Sequence, residues 1–159
     1  MELYFLRHGD AEDPRPDLPD AQRALTEEGV RTTESEALGL RKLGLAPGVI
    51  LTSPLLRARQ TAEIVARALG AGEPIAEDEL ASGCDIDRLA RALSRHPGHE
   101  QVIVVGHEPD FSTMIGELVG GAKVELKKGG LALVSLSEVA PGAGVLRWLL
   151  TAEHLCAMA

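Results

Sequence analysis

Val102-Ile103-Val104-Val105-Gly106-His107-Glu108-Pro109 is the stretch that decides the fold class. Four branched apolar residues in a row, with no polar alternation, describe a strand buried on both faces. Gly106 and Pro109 bound the turn that follows, and His107-Glu108 sits inside it. The same grammar recurs twice upstream. Leu3-Tyr4-Phe5-Leu6 runs into Arg7-His8-Gly9, and Val49-Ile50-Leu51 runs into Thr52-Ser53-Pro54.

Helical periodicity fills the gaps between these strands. Thr26-Glu27-Glu28 is a start signal, a capping hydroxyl followed by acids in the first turn. Val30, Thr33, Ala37, Leu40 and Leu43 then recur at helical spacing until Gly44 and Pro47-Gly48. Ala58, Thr61, Ala62, Val65 and Leu69 predict a second helix, closed by Gly70-Ala71-Gly72. Ile86, Leu89, Ala90 and Leu93 predict a third, closed by His96-Pro97-Gly98. Phe111, Met114, Ile115, Leu118 and Val119 predict a fourth. The tail turns strand-like over Leu131–Leu136 and again over Val145–Leu150, with a Gly/Pro turn between. Strands alternating with helices predict a mostly parallel sheet covered on both faces, and the last pair adds an antiparallel edge. The expected architecture is one three-layer α/β/α sandwich domain over residues 1–159.

Composition narrows the class. The chain has 159 residues, 45% hydrophobic and 25% charged, which is enough to bury a core without covalent staples. Only two cysteines, Cys84 and Cys156, are present, so a disulfide scaffold is excluded, and their spacing matches no zinc or redox motif. The formal net charge of −8 argues against general nucleic-acid binding and against a polybasic membrane contact. No apolar run approaches bilayer length, and Met1-Glu2-Leu3 enters a strand pattern without a basic leader. The expected location is the cytoplasm, with reduced thiols. No glycine-rich stretch has P-loop or dinucleotide spacing.

The chemistry gathers at strand ends. In open α/β sheets, sites form outside the carboxyl ends of the strands. Two histidines, His8 and His107, and the arginines Arg7 and Arg57 would therefore meet on one rim. Arg59 falls two residues on, hence on another face of its helix. Arginine forks bind phosphate oxygens bidentately, and a neutral imidazole offers one free nitrogen as a nucleophile. Phosphoryl transfer needs in-line positioning and charge compensation above all, and this set offers both without a metal or cofactor. His96-Pro97-Gly98-His99 has an H-x-x-H spacing, but the Pro-Gly insert speaks against a metal site.

Leu6-Arg7-His8-Gly9-Asp10-Ala11 resembles the signature of the histidine phosphatase superfamily. Ser53-Pro54-Leu55-Leu56-Arg57-Ala58-Arg59-Gln60-Thr61 is similar to that family's second motif and Gly106-His107-Glu108-Pro109 to its third. Their order, the short chain, and Arg23-Ala24-Leu25-Thr26-Glu27-Glu28-Gly29 resemble the SixA-type protein-phosphohistidine phosphatases most closely. The resemblance covers essentially the whole chain and implies a phosphoglycerate mutase-like fold. It implies His8 as the nucleophile, transiently phosphorylated, with its other nitrogen donating to a nearby backbone carbonyl. Arg7, Arg57 and His107 would hold the phosphoryl group, with Arg23 and Gly9 bordering the substrate.

Larger family members place a carboxylate in the pocket as general acid. Here the corresponding region is Glu77-Asp78-Glu79-Leu80-Ala81-Ser82-Gly83, which lacks the usual arrangement. Glu79 and Glu108 are the remaining candidates for proton donor. A phosphohistidine leaving group departs as a protonated imidazole and asks less of an acid than an alkoxide does. The resemblance therefore implies a phosphohistidine-bearing signalling or phosphotransfer protein as substrate. Two alternatives stand beside it: a general small-molecule phosphomonoesterase, with an acid near Glu79 or Asp85 in the pocket, and a phosphate-binding regulatory module without turnover.

Overall fold

The computed structural model describes residues Met1 to Ala159. Strands run over Glu2–Arg7 (β1), Val49–Thr52 (β2), Ile75–Ala76 (β3), Gln101–Gly106 (β4), Leu131–Leu136 (β5) and Gly144–Leu150 (β6). Helices run over Glu27–Lys42 (α1), Leu56–Leu69 (α2), Ile86–Ser94 (α3), Asp110–Leu118 (α4) and Ala152–Ala157 (α5). All six strands join one sheet in the order β3-β2-β4-β1-β5-β6. The pairings among β1 to β4 are parallel, while β5 and β6 pair antiparallel. This is the mostly parallel sheet with an antiparallel edge expected from the sequence. No helix is long and apolar enough to cross a membrane.

The uninterrupted apolar runs have a direct explanation. Successive strand side chains point to opposite faces, and here both faces are covered. Leu3, Phe5, Val102, Val104, Ala132 and Val134 pack with Leu89, Leu93, Phe111 and Ile115 of α3 and α4. Tyr4, Leu6, Ile103, Val105, Leu131 and Leu133 pack with Ala37, Leu40, Ala62, Val65 and Leu155 of α1, α2 and α5. Helix starts follow the sequence signals. Thr26 Oγ1 accepts the Gly29 amide at 2.9 Å, and the Asp85 side chain accepts the Arg88 amide. Gly70 closes α2 at φ +65°, a left-handed cap that glycine adopts without penalty.

Two elements carry no sequence signal. β3 is two exposed residues, too short for any period to register. α5 is a single capped turn and a half, with Thr151 and His154 satisfying each other's orphan amides. It packs on α1 through Gly39, where an added Cβ would fall 2.1 Å from the Leu155 carbonyl oxygen.

Register brings the strand ends together. Arg7 lies opposite Gly106, and Thr52 opposite Val105. The ladder continues one step beyond the strands: the His8 amide donates to the Gly106 carbonyl at 3.2 Å, and the Ser53 amide to Val105 at 2.9 Å. The chain can turn so tightly after β4 because Gly106 has no side chain. A Cβ there would sit 2.5 Å from the ring of Phe111, which is fully buried and stacked edge-on against Phe5 at 5.2 Å. Gly106→Ala should therefore lower stability by about 1–3 kcal/mol, the usual cost of overpacking. Urea titration reads it directly, and an unchanged midpoint would contradict the packing described.

Candidate active site

His8 follows β1 and is almost fully buried. Its Nδ1 lies 2.8 Å from the Gly9 carbonyl oxygen, which can only accept. Nδ1 therefore carries the hydrogen, and Nε2 is left with a free lone pair. Arg57, in the first turn of α2, donates from Nε to that Nε2 at 3.3 Å. The rest of the Arg57 fork is held by Asp20: Nη1 donates to the backbone oxygen at 2.9 Å and Nη2 to Oδ2 at 3.2 Å. Asp20 also accepts from Arg23 Nε at 2.8 Å, and Arg23 Nη1 donates to the Glu12 carbonyl. One acidic residue thus positions two guanidinium groups.

The other wall is built by β4 and by the approach to β5. The His107 ring centroid is 5.2 Å from that of His8. Its Nε2 lies 2.7 Å from Ser53 Oγ, and Ser53 Oγ accepts the Leu55 amide. That amide fills one of the two serine lone pairs and leaves the hydroxyl hydrogen able to donate to Nε2, the arrangement in which the His107 hydrogen sits on Nδ1. Nδ1 is buried and has no partner in the protein. Arg7 donates from Nη1 to the Leu126 carbonyl at 3.0 Å, and its buried Nε is likewise unpartnered. Glu108 accepts from the Ser112 amide at 3.0 Å and from the Ser112 hydroxyl at 2.5 Å.

These groups enclose a cavity of about 240 Å³. Arg7, His8, Arg23, Arg57, His107 and Glu108 line it, joined by Ser82, Asp13 and Lys128. Four cationic side chains face two carboxylates in a chain whose net charge is −8. Burial pushes the His8 imidazole down to about 4, reinforced by the positive charges of Arg57, Arg7 and Arg23 and opposed by the Gly9 hydrogen bond. Burial pushes His107 down to about 3, with His8 and Arg57 adding to it. Both rings are therefore neutral near pH 7. A pocket with fixed positive charge, unpartnered N–H donors and a neutral imidazole lone pair can hold a phosphoryl dianion and attack it.

Residues 3–82 match the family described as the histidine phosphatase superfamily (branch 1). An uncharacterized protein of Picosynechococcus sp. is 39% identical over 136 residues, which is 82% of each chain. This chain belongs to the histidine phosphatase superfamily. The structure of the protein histidine phosphatase SixA complexed with tungstate aligns with a TM-score of 0.86 and 28% identity, covering 98% of this chain and 99% of that one. The alpha-ribazole phosphatase from Shigella flexneri shares the fold at a TM-score of 0.75 and 17% identity, covering 96% and 97%. The architecture is the phosphoglycerate mutase-like one, and in length and topology this histidine phosphatase is of the SixA type.

Two residues singled out from the sequence of this histidine phosphatase stand elsewhere. Glu79 does not line the cavity. It is held by Arg91 at 3.0 Å, Arg88 at 3.2 Å and Arg95 at 3.3 Å. Arg91 foremost, with Arg88 and Arg95, keeps its carboxyl well below the usual range, so it has no proton to give near pH 7. Those arginines recur along one face of α3 and at its end, a helical spacing that was present in the sequence. Gly9 does not line the cavity either. Its amide donates to Thr61 Oγ1 at 3.1 Å and its carbonyl takes the His8 hydrogen, so it orients the imidazole. Asp85 caps α3, and His96 binds Glu77 at 2.6 Å. Arg57 is buried and Arg59 exposed, as the two helix faces require.

The sequence reading missed Asp20, Ser53, Ser82 and Lys128. Asp20 follows the acidic, proline-rich stretch Asp10–Pro19 without a signal of its own, and Ser53 stands at a strand end and in the second motif with no role attached to it. Asp20, Ser53 and Lys128 each act through a partner far along the chain, Arg57, His107 and Asp10 in turn, and no local pattern marks that.

Proposed function

We propose that this chain hydrolyses phosphohistidine borne on a cytoplasmic signalling or phosphotransfer protein, through a phosphorylated His8. In this reading His8 Nε2 attacks phosphorus while the substrate's P–N bond breaks. Arg7, Arg57 and the His107 Nδ1–H take the phosphoryl oxygens as negative charge builds in the transition state. The substrate imidazole carries a proton on its other ring nitrogen, so when the P–N bond breaks it departs as a neutral ring. Water then attacks the phosphorus on His8, the P–Nε2 bond breaks, and inorganic phosphate and neutral His8 remain. Of the two carboxylates on the cavity wall, Glu108 accepts both Ser112 donors, and we assign it the role of proton acceptor for the attacking water rather than of acid for the leaving group.

One observation carries the choice of substrate. The segment Glu77–Gly83, where a general acid belongs in larger relatives, contributes only Ser82 to the cavity. Its Glu77 is bound to Arg95 and His96, and its Glu79 to the arginines of α3. An alkoxide leaving group needs a strong acid beside it, whereas an imidazole leaving group does not. The similarity to SixA, solved with the phosphate-shaped oxyanion tungstate, supports the same reading. The test is a paired rate comparison with a chelator present. Phosphate release from a phosphohistidine-bearing protein domain should exceed release from a simple aryl phosphate, at equal concentration, by at least about tenfold in kcat/KM. The reverse preference would assign a general phosphomonoesterase instead.

A further inference from the structure

Glu36 is a buried acid that the reaction above does not use. It lies on the inner face of α1 beside Thr33, Ala37 and Leu40, and it is only 2% exposed. Its Oε2 is shut off from solvent without a hydrogen-bond partner. Gly129 packs against the carboxyl so closely that a Cβ would fall 2.2 Å from Oε1. Burial pushes its pKa up to about 8, so it holds its proton near pH 7. An acid placed among apolar residues with nothing bonded to it is costly unless something else completes it.

A second cavity of about 340 Å³ opens onto this group. Asp10, Glu28, Thr32, Glu36 and Lys128 line it, and Gly9, the neighbour of His8, forms part of its wall. Lys128 lines both this cavity and the catalytic one. Three acidic residues thus face one cation, and that cation is already paired: Lys128 Nζ donates to Asp10 Oδ1 at 2.7 Å. Asp10 Oδ2 is occupied by Thr26 Oγ1 at 3.0 Å. The carboxyls left over belong to Glu36, which is buried, and Glu28, which is exposed. A ligand that fits them carries positive charge and several N–H donors.

We propose that this cavity is a subsite for an arginine side chain of the phosphorylated protein, carried close to its phosphohistidine. The proposal rests on the phosphohistidine reading above. A guanidinium presents five N–H donors, so it can set one on the edge of the Glu36 carboxyl that borders the cavity and others on Glu28, and it is less strongly hydrated than an ammonium, which suits a buried acceptor. On binding, the Glu36 proton passes to solvent and the resulting carboxylate pairs with the guanidinium.

The experiment uses two phosphohistidine peptides that differ only in carrying arginine or its uncharged isostere citrulline beside the phosphohistidine. The wild-type protein should favour the arginine peptide by roughly tenfold in kcat/KM, as a charge-assisted bond implies. Glu36→Gln, which keeps the shape, should reduce that ratio to within about twofold. An absent preference in wild type, or a preference that survives Glu36→Gln, overturns the subsite. A second arm needs no turnover: carbon-13 carboxyl NMR of the protein titrated with ethylguanidinium. Movement of the Glu36 resonance to its ionised position supports the subsite, and a resonance that stays put overturns it. If neither peptide is hydrolysed while an aryl phosphate is, the phosphohistidine reading falls, and the NMR arm alone then decides the cavity's role.

Discussion

His8→Ala should lower phosphate release by at least ~10⁴-fold in kcat, since removing a covalent nucleophile costs several orders of magnitude. The geometry points to Nε2 for a specific reason. Nδ1 is committed to the Gly9 carbonyl, so the remaining lone pair faces Arg57 and the cavity. Arg7, Arg57 and His107, the groups we propose to hold the anion, remain in His8→Ala, so the variant should still bind inorganic phosphate, measurable by calorimetry. Loss of turnover with retained binding separates nucleophile from scaffold. A variant that kept full activity would refute the assignment.

The pH dependence follows from the same environment. His8 and His107 are held down to about 4 and 3, so both are neutral across the physiological range. As pH falls through about 4, the nucleophile gains a proton and kcat/KM of wild type should drop. An acid limb centred near 6.5 would mean that His8 is not buried as described. Stability shares the sign. An unfolded histidine takes up its proton near 6.5, whereas the folded ones resist until about 4 or below. The two imidazoles therefore cost stability progressively as pH falls from 6.5 towards 4, and they cost nothing above 6.5.

Arg57→Lys should reduce kcat by about 10²–10³-fold while leaving the fold intact. Arg57 is 4% exposed, and its guanidinium makes three contacts in different directions: to His8 Nε2, to the Asp20 backbone oxygen and to Asp20 Oδ2. A lysine ammonium has the charge but only one nitrogen, so it cannot hold the imidazole and Asp20 together and still face a phosphoryl oxygen. Asp20 is more than half exposed, so water can take over its carboxylate and the cost falls on catalysis rather than stability. Circular dichroism and thermal melting should resemble wild type. A kcat within tenfold of wild type would remove Arg57 from the machinery.

The order of strands and helices, the parallel sheet and the antiparallel edge were legible along the chain. Their signals are local: apolar runs, helical periods, capping residues and glycine stops. Placement of Arg7, His8, Arg57 and His107 on one rim was legible too, because parallel strands deliver their carboxyl ends to the same edge of a sheet. Pairings between distant residues were not. Asp20 meets Arg57 across 37 positions, Ser53 meets His107 across 54, and Lys128 meets Asp10 across 118. Each depends on how loops dock once the sheet has formed.

Glu79 shows the same limit from the other side. Its segment reaches the cavity only through Ser82, and the packing of α3 turns the Glu79 carboxylate towards three arginines, away from the cavity. Glu36 is the sharpest case. Helical periodicity around Thr33, Ala37 and Leu40 gave α1 a buried face, yet a charged letter inside that pattern reads as solvated. Only the approach of Gly129, distant in sequence, covers its carboxyl. Local chemistry along the chain was sufficient for the fold and for the residues at strand ends. Which groups are desolvated, and so which protons move, was settled by packing, because burial is a property of the whole assembled molecule.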